Sequence, residues 1–291
     1  MTSGVFVDKT GLNMADGKHK NTAVEQIGAG IIKAVGDCGR FARFQAESLV
    51  ASVAACFRPA TYPLIWDQML AIGVRSVPVV SITGAFVGMV LAIQAYDQLA
   101  GLGIEEHLGV LINLSVVKEL GPVLAAVMLA GRVGGALTAE LGTMNVTEQI
   151  LAVRSMGTNP IRYLVAPRLI ACLLLTPVLI IYADFLGILG GYLISVPYLG
   201  INSTAYWSFS ADGVELWDIT IGIAKGFFFG AAIAGMSCYK GFHCKEGAQG
   251  VGQACTEAFV GSFILILAID FVLVVIFKAL YSSVWPFRSL L

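Results

Sequence analysis

Charge is what this chain lacks most. Asp, Glu, Lys and Arg make up 13% of its 291 residues, about half the share in a soluble domain. With 57% hydrophobic residues and a mean hydropathy of +0.81, that shortage excludes a soluble globular domain and points to an integral membrane protein. There is no basic excess either: the net charge of −1 argues against nucleic acid as a partner. Histidine is scarce (His19, His107 and His243), so no acid–histidine proton chain can be assembled. The six cysteines include no C-x-x-C pair. Cys238, His243 and Cys244 lie close together, but on a connection expected to be cytosolic and reducing, so no metal site is expected. The first 22 residues hold no apolar run of signal-peptide length and read as a disordered cytosolic tail.

What is present is a set of long apolar runs. A span needs about 20 mostly apolar residues, and five segments qualify, at about 74–96, 109–137, 163–196, 218–239 and 258–281. The third is long and contains Pro177 and Asp184, so it reads as one tilted or kinked helix or as two short ones. Lys9, Lys18, Lys20, Lys33, Arg40, Arg43 and Arg58 precede the first span. Arg154 and Arg162 lie between the second and third, and Lys240 and Lys245 between the fourth and fifth. The connections 97–108 and 197–217 contain no Lys or Arg. The positive-inside rule therefore predicts a cytosolic N-terminus and an external C-terminus, with Lys278 and Arg288 as a mild contradiction.

Residues 23–58 repeat apolar positions at helical spacing: Val24, Ile27, Ile31 and Val35, then Phe41, Phe44, Leu49 and Val53. With Lys33, Arg40 and Arg43 on other faces, this predicts an amphipathic helix lying in the headgroup layer or packed against protein. Between the second and third spans, Asn145-x-x-Glu148 has capping-box spacing, with Asn145 as the cap and Glu148 at the third position. Val146, Ile150 and Val153 follow on one face, and Gly157 and Asn159-Pro160 end the pattern. A helix over about 143–157 is predicted, either docking on a soluble partner or serving as an ordinary re-entry loop.

The second span is interrupted by Gly121-Pro122 and carries Arg132 in a glycine-rich turn. Taken whole, Glu119 to Arg168 reads ELGPVLAAVMLAGRVGGALTAELGTMNVTEQILAVRSMGTNPIRYLVAPR. This stretch resembles the signature region of the MlaE/YrbE-type permeases, membrane subunits of ABC lipid transporters. The resemblance extends through TGAFVGMVLAIQAY (83–96), YKGFHCKEGAQGVGQACTEAFV (239–260) and IDFVL (269–273), and covers about residues 70–280.

That resemblance implies an all-α integral membrane protein with five transmembrane helices, an N-terminal amphipathic interfacial helix (23–70) and a permease domain (71–291) with a short cytosolic coupling helix between spans two and three. It implies a homodimer in the bacterial inner membrane, a pair of cytosolic ATPases and a periplasmic MCE-domain lipid carrier. No G-x-x-x-x-G-K-S/T sequence is present, so ATP and Mg are expected on the partner ATPase and no cofactor or catalytic residue on this chain. Glu140, Met144, Asn145, Glu148, Arg154 and Gly157 are the expected ATPase-coupling residues, with 240–256 as a second cytosolic contact. The lipid pocket is expected at the dimer interface, walled by Leu91, Gln98, Leu99, Leu102, Glu119 and Leu120.

Charges at span depth are expensive unless paired or hydrated. Lys118, Glu119 and Arg132 therefore predict a polar cavity or interhelical pairs, Glu119 either meeting a lipid headgroup or pairing with Arg75 or Lys225. Gly84 and Gly88 in the first span, and Gly222, Gly226, Gly230 and Ala234 in the fourth, predict close helix packing. Asp184 and Asp270 read as isolated acids. A stand-alone ion- or proton-coupled carrier would show an inverted repeat, and an intramembrane enzyme would need paired catalytic groups. Neither signature is found.

Overall fold

The structure is a computed structural model that describes residues 23–284. The predicted tail, the side chains of Val24, Ile27, Ile31 and Lys33, and Arg288 lie outside what it describes. By compactness the chain divides into two units, Met1–Ala42 and Arg43–Leu291. No β-strand occurs among the described residues.

Apart from the single tight helical turn Pro59–Thr61, eight helices follow one another among the described residues: α1 (Ala23–Cys56), α2 (Tyr62–Ala100), α3 (Glu105–Val146), α4 (Gln149–Ser155), α5 (Ile161–Ser195), α6 (Ser203–Gly213), α7 (Leu216–Phe242) and α8 (Gly247–Val284). Five of them, α2, α3, α5, α7 and α8, are long and apolar enough to cross a membrane. The third predicted segment is a single helix, α5, which contains Pro177 without breaking.

The Gly121-Pro122 interruption and the glycine-rich turn around Arg132 do not materialise. Both lie inside a continuous α3, which instead contains two widened turns, Val116–Leu120 and Ala130–Gly134. A proline lacks the N–H for its helical bond, and its ring crowds the carbonyl four residues back. Opening the turn just before Pro122 relieves both problems. The same device precedes Pro167, where α5 begins with the widened turn Ile161–Val165.

In the first unit, Asp37 and Arg40 pair on the exposed surface of α1. From Arg43 onward α1 belongs to the second unit, where Phe44, Ser48, Ala51, Ser52 and Ala55 form a buried face and Leu49, Val50 and Val53 remain exposed. Gln45 Nε2 donates to Ala231 O of α7 at 3.0 Å. The buried face uses mostly small residues, and Leu49 and Val53 of the predicted apolar stripe point away from the core of the second unit.

α2 and α5 run parallel in close contact. A Cβ placed on Gly84 would meet Ala183 O at 2.6 Å, and one on Gly88 would strike the carbonyl of Gly187. Glycine is required there because two backbones occupy the space a side chain would fill. α7 packs beside α3, and α8 returns antiparallel along α7. Ile72, Val80, Leu129, Leu169, Ile180, Phe229 and Ile266 gather these spans into one core. Trp66, Val74, Ile82 and Phe86 on α2, and Ile264, Phe271 and Val275 on α8, are exposed apolar side chains suited to hydrocarbon rather than water.

Candidate functional site

Two places in the bundle gather polar side chains. The first lies where α3, α7 and α8 meet, near α6. Lys225 of α7 is fully buried, and its Nζ donates to Glu119 Oε2 at 2.8 Å and to Lys118 O at 3.0 Å. Asp270 Oδ1 of α8 lies 2.9 Å from the same nitrogen. Lys118 Nζ in turn contacts Asp218 Oδ1 at 2.9 Å. Asp218 also caps α7, because its other oxygen accepts from Glu215 N at 3.1 Å.

Two ammonium groups thus face three carboxylates, a balance that leaves one net negative charge when all are ionised. Glu119 and Lys118 remain partly exposed, at 45% and 38% of their side chains. They open into a cavity of about 340 Å³ lined also by Trp217, Ile221, Val274, Phe277, Lys278 and Tyr281. The cavity therefore combines apolar walls with a charged floor, a setting that suits an amphiphile.

This arrangement realises the predicted Glu119–Lys225 pairing and corrects the reading of Asp270, which is not isolated. Asp184 Oδ1, by contrast, is buried without a hydrogen-bond partner among the described residues. Arg132 Nη1 donates to Ser76 Oγ of α2 at 2.6 Å, so it bridges two spans. Asp218 escaped the sequence reading, although two lysines at span depth called for more carboxylate than Glu119 supplies.

The structure does not collect the six expected lipid-wall residues in one cavity of this chain. Glu119 faces α7 and α8, while its neighbour Leu120 lines a narrow crevice with Thr83, Val87 and Leu124. Leu99 is buried in a core with Leu108, Ile112 and Tyr206, and Leu91 packs against that core. Gln98 and Leu102 are exposed at the end of α2.

The second place is the opposite end of the bundle, around α4. The capping box on Asn145 is not formed. α3 continues through Val146, and Glu148 precedes α4 in the left-handed region at φ 60°. Asn145 turns its amide toward Cys244 O at 3.5 Å instead. Packing of Leu141 and Met144 rewards the extra turn of α3 more than a local cap rewards ending it. The helix expected over 143–157 is correspondingly shorter, Gln149–Ser155. Its far end is as read: Gly157 has φ 77°, Thr158 N donates to Val153 O and Gly157 N to Arg154 O, a Schellman closure. Asn159 then caps α5, its Oδ1 accepting Ile161 N at 2.9 Å.

Ile150 is the buried residue of α4, packed with Phe44, Leu141, Leu164, Val165 and Cys238. Leu151, Arg154 and Met156 stay exposed, and Arg154 edges two open grooves against Phe242 and His243. Glu140 bonds Arg168 of α5, with Nη2 to Oε2 at 3.1 Å. No group of three metal-ligating side chains occurs among the described residues.

Five spans, a charged cavity between three of them and a short surface helix tied to two span ends define a multi-pass membrane protein. Comparison with known proteins gives the family. The model of the family described as permease MlaE matches residues 65–276, and this chain belongs to that family of ABC transporter permeases. It is 42% identical over 252 residues to a probable ABC transporter permease protein of Rickettsia felis, an alignment covering 86% of this chain and 96% of the relative. It is 38% identical over 216 residues to the intermembrane phospholipid transport system permease protein MlaE of Haemophilus influenzae, covering 74% and 83%. The Arabidopsis thaliana protein TRIGALACTOSYLDIACYLGLYCEROL 1, chloroplastic, is 37% identical over 207 residues, covering 71% of this chain and 59% of the relative.

Proposed function

We propose that this chain is the lipid-handling permease of an ABC transporter in a bacterial inner membrane. It works as a homodimer, with phospholipid as cargo. Its N-terminus and α4 face the cytosol, where a separate ATPase dimer binds ATP with Mg and docks on α4. Its α6 end faces the periplasm, where an MCE-domain protein exchanges lipid with it. The lipid wall is formed by Leu91, Gln98 and Leu102 with Glu119 at the polar end, and is completed by the second copy. ATP binding and hydrolysis on the partner shift the permease between states of different lipid affinity.

The observation that carries this reading is α4. It is a short surface helix that exposes Leu151 and Arg154, with Met156 exposed just past its end, yet is anchored through Ile150 to the ends of α3 and α5. Likeness to a phospholipid transport permease supplies the cargo class.

The test is purification of the tagged chain from membranes of its own host. An ATPase should co-purify, phospholipid should be found by mass spectrometry, and lipid occupancy should change when ATP is added. Recovery without an ATPase, with occupancy indifferent to nucleotide, would sink the proposal.

A further inference from the structure

Arg168 and Glu140 raise a question that docking on α4 does not answer. Arg168 is a buried cation at the α4 end of α5, with 9% of its surface exposed. Its guanidinium is divided between two helices. Nη1 donates to Leu164 O at 2.7 Å, fixing it to the widened first turn of its own helix, and Nη2 reaches Glu140 Oε2 of α3 at 3.1 Å. Nε is buried with no partner among the described residues. An arginine held so tightly and satisfied so incompletely is a poor stabilising device, because its desolvation offsets much of the Coulomb attraction.

Its position gives it another use. α4 hangs between the end of α3 and the start of α5, and Glu140–Arg168 is the one ion pair joining those two helices among the described residues. Ile150 fills the apolar contact between the same two ends. A push on α4 that moved α3 without α5 would have to break the ion pair.

The geometry points to Glu140 and Arg168 as a clamp that makes the ends of α3 and α5 follow α4 together, and so converts partner binding at α4 into movement of both spans. Both are positioning residues. Glu140 acts inside the permease rather than as a contact for the ATPase. The inference rests on the reading of α4 as the ATPase-facing element.

The complete transporter, reconstituted in phospholipid vesicles, provides the test. ATPase co-purification, ATP hydrolysis and phospholipid moved per ATP are measured for wild type, Glu140→Gln, Glu140→Arg and the swap Glu140→Arg with Arg168→Glu. Glu140 is half exposed, so its single variants are expected to fold. The clamp predicts an unchanged complex and near-normal hydrolysis, with lipid moved per ATP falling about tenfold in both single variants. It also predicts recovery of most of that ratio in the swap.

Loss of the ATPase from Glu140→Gln would make Glu140 a docking contact and overturn the clamp. A wild-type transport ratio in Glu140→Gln would overturn it equally, as would a folded, assembled swap that does not recover. Absence of the ATPase from the wild-type preparation would count against the function proposed above, a result separable from all of these.

Discussion

Lys225 Nζ stands 2.8 Å from Glu119 Oε2 and 2.9 Å from Asp270 Oδ1, joining α3, α7 and α8 through one fully buried nitrogen. Three spans share a cation whose side chain has no exposed surface. The helices are thereby tied at a depth where a lone charge could not stay.

Removing that cation should be costly. Lys225→Met leaves two carboxylates facing each other, and truncating one partner of a buried pair costs about 3 kcal/mol at the lower end. The lower end applies because Glu119 is half exposed and water screens it. Thermal unfolding in nanodiscs should show a fall of several degrees, largely reversed when Asp270→Asn is added. An unchanged melting temperature for the single variant would contradict the triad.

The parallel contact of α2 with α5 makes a graded prediction. Gly88→Ala places a methyl against the Gly187 carbonyl and Gly84→Ala places one against Ala183 O. Overpacking of this kind costs about 1–3 kcal/mol. Gly135 lies in α3, and a methyl placed there would have nothing within 4 Å. Gly135→Ala should therefore be neutral or stabilising by up to about 1 kcal/mol. Unfolding in a denaturing detergent series, with the three variants side by side, checks the order.

At α4, conformation and capping separate. Glu148 sits at φ 60°, a region that disfavours residues with a Cβ by about 1 kcal/mol. Glu148→Gly should therefore raise stability slightly and Glu148→Val should lower it. Asn145→Ala should cost less than the roughly 1 kcal/mol of a lost N-cap, because Asn145 caps nothing. A drop of full capping size in Asn145→Ala would restore the helix start at 145.

Exposed and buried positions of α4 should fail differently. Leu151→Glu should abolish ATPase co-purification while leaving permease unfolding unchanged. Ile150→Ala removes the packed anchor and should lower stability by about 2 kcal/mol while leaving the exposed face intact. Pull-down and thermal unfolding on the same preparations distinguish them.

The five spans and the helical character of 23–56 were legible because apolar length and periodicity are properties of the chain alone. Asn159-Pro160 and Gly157 announced a helix boundary for the same reason. What escaped depended on partners. Asn145 carried a correct local cap signal that was overridden by the packing of Leu141 and Met144. Gly121-Pro122 looked like a break because the sequence does not show that a helix can widen ahead of proline. Asp270 looked isolated since its cation lies 45 residues away on another span. The expected lipid wall drew on two stretches, 91–102 and 119–120, and within this chain the bundle turns Glu119 and Leu120 to different neighbours.

The widened turns have a consequence for how this chain tolerates length change. Each takes in one residue more than an ordinary turn, which is about 100° of helix phase. Deleting a residue within Ala130–Gly134 can be absorbed by the turn tightening to a regular helix, since no proline there needs the extra width. The same deletion within Val116–Leu120 would bring back the crowding at Pro122 that the wide turn relieves. Length variation in this span is therefore channelled into the turn around Arg132.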